Sequence, residues 1–116
     1  MELRQLRYFV TTAETLSFSE AARKLFITQS TLSQQIKQLE TELGSELFKR
    51  NPHSVVLTEA GDQLLPLART TIYNADICRT QMLDLQEEVS GSLNVGVIYS
   101  FSHVLLDPMK KFLLQD

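Results

Sequence analysis

Apolar residues recur at helical spacing over the first sixteen positions: Leu3, Leu6, Phe9, Val10, Ala13 and Leu16. This predicts a first helix over roughly Glu2 to Thr15. Ser17, with Glu20 three residues on, has the spacing of a capping box, in which hydroxyl and carboxylate each satisfy a backbone N–H of the other. A second helix, about Phe18 to Leu25, follows and buries Ala21, Ala22 and Leu25. Its two alanines permit close approach of a neighbouring helix. Phe26-Ile27 then leads to Thr28, a suitable N-cap. A third helix runs to about Leu43, with Leu32, Ile36, Leu39 and Leu43 on one face and Gly44 positioned to end it.

The period then shortens. Leu47 to Arg50 and Val55 to Leu57 read as short strands, and Asn51-Pro52-His53-Ser54 between them has turn chemistry, which predicts a small hairpin. Thr58 caps a long fourth helix ending near Glu88. Its stripe of Leu64, Ala68, Thr71, Ala75, Cys78, Met82, Leu85 and Val89 advances by alternating steps of four and three, the seam of a coiled coil. Pro66 lies inside this helix and is expected to kink it. Ser90-Gly91-Ser92 breaks the pattern. Leu93 to Ile98 reads as a buried strand and Phe101 to Leu114 as a helix, the opening of an α/β domain whose remainder is absent.

The third helix has an unusual polar face. From Thr28 to Gln38 it carries eight uncharged polar side chains, two aliphatic ones and one charge, Lys37. Two short helices joined by a tight turn, the second exposing polar groups, form a helix-turn-helix, whose second helix enters the DNA major groove. Ser30, Ser33, Gln34 and Lys37 lie away from the apolar face, with Gln29 at the N-terminal end. Gln pairs bidentately with adenine, and Ser or Thr serves several base edges. The helix N-terminus and the hydroxyls of Thr28, Ser30 and Thr31 suit phosphate or base edges. Lys49, Arg50 and His53 of the hairpin suit the phosphate backbone or the adjacent minor groove.

Composition changes this picture little, but the distribution of charge matters. The 116 residues are 43% hydrophobic and 22% charged, an ordinary globular mix, with a net charge of −3. Residues 1–58 hold seven Lys/Arg and six Asp/Glu, residues 59–90 two and six, and residues 91–116 two of each. The acidic excess therefore belongs to the long helix and does not oppose an anionic partner for the first segment. No apolar run approaches the ~20 residues of a membrane span, and no signal peptide is evident. The single cysteine fits a reducing cytoplasm.

The stretches LRQLRYFV, SFSEAARKLFITQSTLSQQIKQLETELGSELFKR, LTEAG and GSLNVGV, in this order, resemble the LysR-type bacterial transcriptional regulators over residues 1 to about 100. The resemblance implies a mainly α fold: a winged helix-turn-helix over 1–58, a linker and dimerisation helix over 59–90, and over 91–116 a β-α stub of an effector-binding domain. It implies a cytoplasmic, sequence-specific DNA-binding regulator, not an enzyme, that inserts the helix Gln29–Leu43 in the major groove of double-stranded DNA as a homodimer. At full length a tetramer is possible. A small-molecule effector would act through the missing domain. Residue by residue it places base and phosphate contacts at Gln29, Ser30, Ser33, Gln34 and Lys37 and a wing contact at Arg50. Many family members have Pro at position 30, Arg or His at 34 and Arg at 53, where this chain has Ser30, Gln34 and His53. Its DNA-facing surface is accordingly less basic.

Other residues carry less. Cys78 reads as a small hydrophobe in the dimer seam, since no second Cys or basic cluster accompanies it. His53 and His103 with Cys78 make no metal site, and no cofactor is expected. Ser100 and Ser102 stand between a predicted strand end and helix start, where they read as N-caps or as an anion-favouring corner; the resemblance implies that this corner contributes to the effector site. A protein-interaction module is the competing reading, because the head is near neutral; salt-dependent DNA affinity separates the two.

Overall fold

The computed structural model describes residues 1–90. Four helices and one hairpin follow in the order α1 (Leu3–Thr15), α2 (Phe18–Leu25), α3 (Gln29–Leu43), β1 (Phe48–Asn51), β2 (Ser54–Leu57) and α4 (Glu59–Ser90). The strand Leu93–Ile98, the helix 101–114 and the candidate residues Ser100 and Ser102 lie outside the described residues. Contacts divide the chain into two units, Met1–Asn74 and a second from Ala75 onward.

In the first unit α1 ends where Leu16 turns into the left-handed region, with φ 52°. Leu16 therefore leaves the helical stripe, and it is exposed. Ser17 accepts the N–H of Glu20 at 3.1 Å. The reciprocal half of the expected capping box is replaced. The Ser17 N–H donates to Thr15 Oγ1 at 3.3 Å, and the Glu20 carboxylate accepts from Arg23 at 2.6 Å. Thr28 caps α3 through the N–H of Thr31, and Gly44, at φ 72°, closes it.

The turn between α2 and α3 is built on Phe26, at φ 59°. Its N–H donates to Arg23 O, and the next N–H, of Ile27, to Ala22 O. Leu25 and Ile27 pack on the core, while Phe26 is 93% exposed. A left-handed conformation costs a non-glycine residue roughly 1 kcal/mol, and nothing is buried in return. Phe26→Asn is expected to hold or raise the unfolding free energy by a few tenths of a kcal/mol to about 1 kcal/mol, as read by urea titration; clear destabilisation would contradict this account.

Phe9, Leu32, Ile36, Leu39 and Leu47 are fully buried, which joins α1, α3 and the approach to β1 in one core. Each such side chain contributes about 1.5–3 kcal/mol by leaving water. Thr12 is also buried; its hydroxyl donates to Tyr8 O at 2.8 Å. Phe48 brings the hairpin onto this core, with ring centroids 5.5 Å from Phe9 and 5.6 Å from Phe18. The strands are antiparallel, pairing Phe48 with Leu57 and Asn51 with Ser54, so that Pro52-His53 alone makes the turn.

The first unit extends past residue 58. Ala60, Leu64, Leu65 and Ile72 pack against the core, and Ala68 is 1% exposed. Of the residues expected in the dimer seam, Leu64 and Ala68 also serve the core of their own chain. Thr71 is exposed. In the second unit Cys78, Met82 and Leu85 are exposed and Ala75 is half-buried.

Candidate nucleic-acid interface

The polar face of α3 follows from its registration on the core. Leu32, Ile36 and Leu39 point inward, which leaves Gln29, Ser30, Thr31, Gln34 and Lys37 exposed and Ser33 half-buried. One amide in the same run has a structural task. Gln35 is half-buried and accepts a hydrogen bond from the Nε2 of the buried Gln5 at 3.2 Å, tying α3 to α1. Thr28 and Thr31 also serve each other, their hydroxyls 2.9 Å apart. They remain exposed beside the positive end of the helix.

The hairpin stands beside this face and closes an open groove of about 610 Å³. Ser33, Gln34 and Lys37 line it from α3, and Lys49 and Arg50 from β1. A second depression, about 380 Å³, brings Gln29 together with Arg50, His53 and Asn51 of the wing and with Ser17 and Ser19 at the start of α2. Arg50 lines both. Among the described residues, no ion pair or hydrogen bond engages the side chains of Lys37, Lys49 or Arg50. Their charge is therefore free for an anion. Ser30 and Thr31 are exposed but line neither depression.

Several residues that shape the interface were not anticipated. The Arg50 guanidinium sits 3.9 Å from the centroid of the Phe18 ring. Strand alternation contains the signal: Arg50 is two residues from the inward-facing Phe48 and shares its side of the hairpin. Glu40 lies on the groove wall, where its Oε2 accepts the N–H groups of Leu47, at 2.8 Å, and Phe48, at 3.3 Å. A carboxylate from α3 thus fixes where the wing begins. Glu40→Ala removes an ionised acceptor from two backbone donors, and a loss of about 1.5–3 kcal/mol is expected in urea unfolding, with Glu40→Gln recovering part of it. A Glu40→Ala chain as stable as the original would show that the wing is anchored elsewhere.

What the arrangement can do chemically is bind. It presents donors and acceptors suited to base edges on a helix of major-groove width, with a cationic strand at its side. Among the described residues no cluster of His, Cys, Asp and Glu could hold a metal ion, and no helix is long and apolar enough to cross a membrane.

Comparison with known proteins agrees with this geometry. A family model described as bacterial regulatory helix-turn-helix protein, lysR family, matches residues 3–62. The chain is 41% identical over 104 residues to the HTH-type transcriptional regulator EstR of Acinetobacter baylyi, a match that covers 90% of this chain and 35% of EstR. The chain thus spans about a third of that relative's length. Similar solved structures include BenM_DBD in complex with catB site 1 DNA and a CbnR_DBD–DNA complex. The first has a TM-score of 0.67 at 42% identity and covers 78% of this chain and 99% of that one. The second has a TM-score of 0.71 at 32% identity and covers 74% and 99%.

Proposed function

Since the chain belongs to the lysR family of bacterial regulatory helix-turn-helix proteins, we propose that it acts as a sequence-specific DNA-binding transcriptional regulator. In this reading α3 enters the major groove, with Gln29, Ser30, Ser33, Gln34 and Lys37 toward bases and phosphates. Thr28 and Thr31 lie at the groove edge, and Lys49, Arg50 and His53 lie on the flanking backbone or minor groove. The observation that carries the proposal is the single groove uniting the polar face of α3 with the unpaired cations of β1. The DNA complexes of BenM_DBD and CbnR_DBD, and the regulator name of EstR, support it.

The chain works as a homodimer joined through α4, and it binds rather than catalyses, with no cofactor. Two copies of α3 then meet two half-sites separated by about one turn of DNA, ~34 Å, or a multiple of it. Control by a small-molecule effector, and a cytoplasmic location, complete the proposal. The effector role rests on the family resemblance and would act through an effector-binding domain to which Ser100 and Ser102 contribute only part of a site, unless they serve simply as N-caps.

The test is a titration of labelled duplexes, followed by anisotropy across a range of salt. One duplex is selected from a random pool by this chain, and the other is a scrambled control. Ser33→Ala combined with Gln34→Ala is expected to remove about 1–3 kcal/mol of preference per lost base contact while leaving the salt-dependent background. If no duplex binds even at low salt, the proposal fails and the protein-interaction reading takes its place.

A further inference from the structure

We infer that Phe18 is a positioning residue for DNA binding, whose ring holds the Arg50 guanidinium in its contact geometry before DNA arrives. The inference rests on the DNA-binding reading above.

Arg50 is an exposed side chain on a two-stranded hairpin. A long cationic chain in that setting ordinarily samples many rotamers, and a contact with DNA must freeze them. Here the guanidinium lies over the Phe18 ring at 3.9 Å, and among the described residues it has no carboxylate partner. Cation–π attraction engages the face of the guanidinium. Its N–H donors lie in the plane of the group and stay available as a fork for phosphate or for guanine.

The ring is itself packed into the core. Phe18 is buried at the first position of α2 and packs edge-on against Phe48, which packs in turn against Phe9 at an interplanar angle of 50°. Three aromatic rings therefore lead from the centre of the core to one surface cation. That cation lines both the groove along α3 and the depression at the start of α2. Lysine in place of Arg50 would keep the charge but lose the planar fork and most of the stacking.

The test uses the whole chain and a duplex selected by it from a random pool. Phe18→Leu keeps an apolar core residue and removes the ring. Replacing Phe18 with pentafluorophenylalanine keeps the shape and reverses the charge distribution of the ring face. Both are expected to weaken DNA binding about fivefold, and Phe18→Tyr to restore it. In an Arg50→Ala background the same ring changes should have no further effect, since coupled residues are non-additive. In the free protein the Arg50 side-chain proton resonances should show a ring-current shift that Phe18→Leu abolishes.

Equal weakening in both backgrounds, or an Arg50 resonance indifferent to Phe18, would overturn the positioning role and leave Phe18 as core alone. If Phe18→Leu does not fold, the isosteric fluorinated variant decides by itself. Failure of the unaltered chain to bind any duplex would remove the DNA-binding reading, and this inference with it. Binding with additive effects removes only the inference.

Discussion

Gly61→Ala is expected to lower the thermal midpoint by roughly 15 °C, which corresponds to about 3 kcal/mol in a domain of this size. The cause is space, not backbone angle. A Cβ at Gly61 would stand 2.3 Å from the carbonyl oxygen of Leu47 and 2.7 Å from Leu57 Cδ2. The leucine side chain could shift at modest expense. The carbonyl cannot, because Leu47 O also accepts the N–H of Thr58 at 3.0 Å, and the neighbouring Glu46 O accepts the Thr58 hydroxyl at 2.6 Å. The same hydroxyl accepts the N–H of Gly61 at 3.1 Å and so caps α4. A methyl group at position 61 must therefore part the start of α4 from the segment entering the wing. Gly44 offers the control. It holds φ 72°, but a Cβ there would meet nothing within 4 Å, so Gly44→Ala should cost only the left-handed penalty, about 1 kcal/mol. Paired thermal and urea unfolding of the two variants checks the argument. If Gly61→Ala falls within about 0.5 kcal/mol of the original, the close approach is not what holds wing and helix together.

Leu85→Glu should give the second large effect, on assembly and not on folding. Within one chain Met82 and Leu85 are 58% and 52% exposed, on the helix proposed to join two copies. A carboxylate in such a seam would face its symmetry mate or lose its water. Sedimentation should show a shift from dimer to monomer. DNA affinity should fall about a hundredfold, because the second half-site is no longer bound intramolecularly. The midpoint of the first unit should barely move, since Leu85 belongs to none of its core. A Leu85→Glu chain that sediments like the original would refute the assignment of this stripe to the dimer.

These two positions illustrate how much of the molecule was readable beforehand. Spacing located α1, α2 and α3, because their inward residues repeat at 3.6 and their ends carry Ser17, Thr28 and Gly44, residues whose chemistry is local. The start of α4 was readable from Thr58 for the same reason. The polar face of α3 was readable because burial of Leu32, Ile36 and Leu39 leaves only one side for Gln34 and Lys37. Interactions that join distant segments left weaker traces. Periodicity shows that Ala68 faces inward but not whether its neighbour is the same chain or a partner; in the fold it is buried within its own chain. Glu20 satisfied the capping pattern, yet Arg23, one turn on, offered it a cation. The link from Glu40 to Leu47 spans seven residues, and that from Gln5 to Gln35 spans thirty. Neither follows a local period. Left-handed angles at Leu16 and Phe26 were equally hidden, because both residues ordinarily avoid them.

Phe26 has a consequence for the history of sequences of this kind. Its position asks for a left-handed angle and gives the ring nothing to touch, so random replacement there by glycine, asparagine or a small polar residue should pass without loss of fold. Leu25 and Ile27, one step to either side, have no such freedom. Gly61 has none at all, because even the smallest side chain collides with backbone. Among diverging descendants of this chain, the tip of the turn should therefore drift early and widely, while the glycine of α4 stays unchanged long after most of the surface has been rewritten.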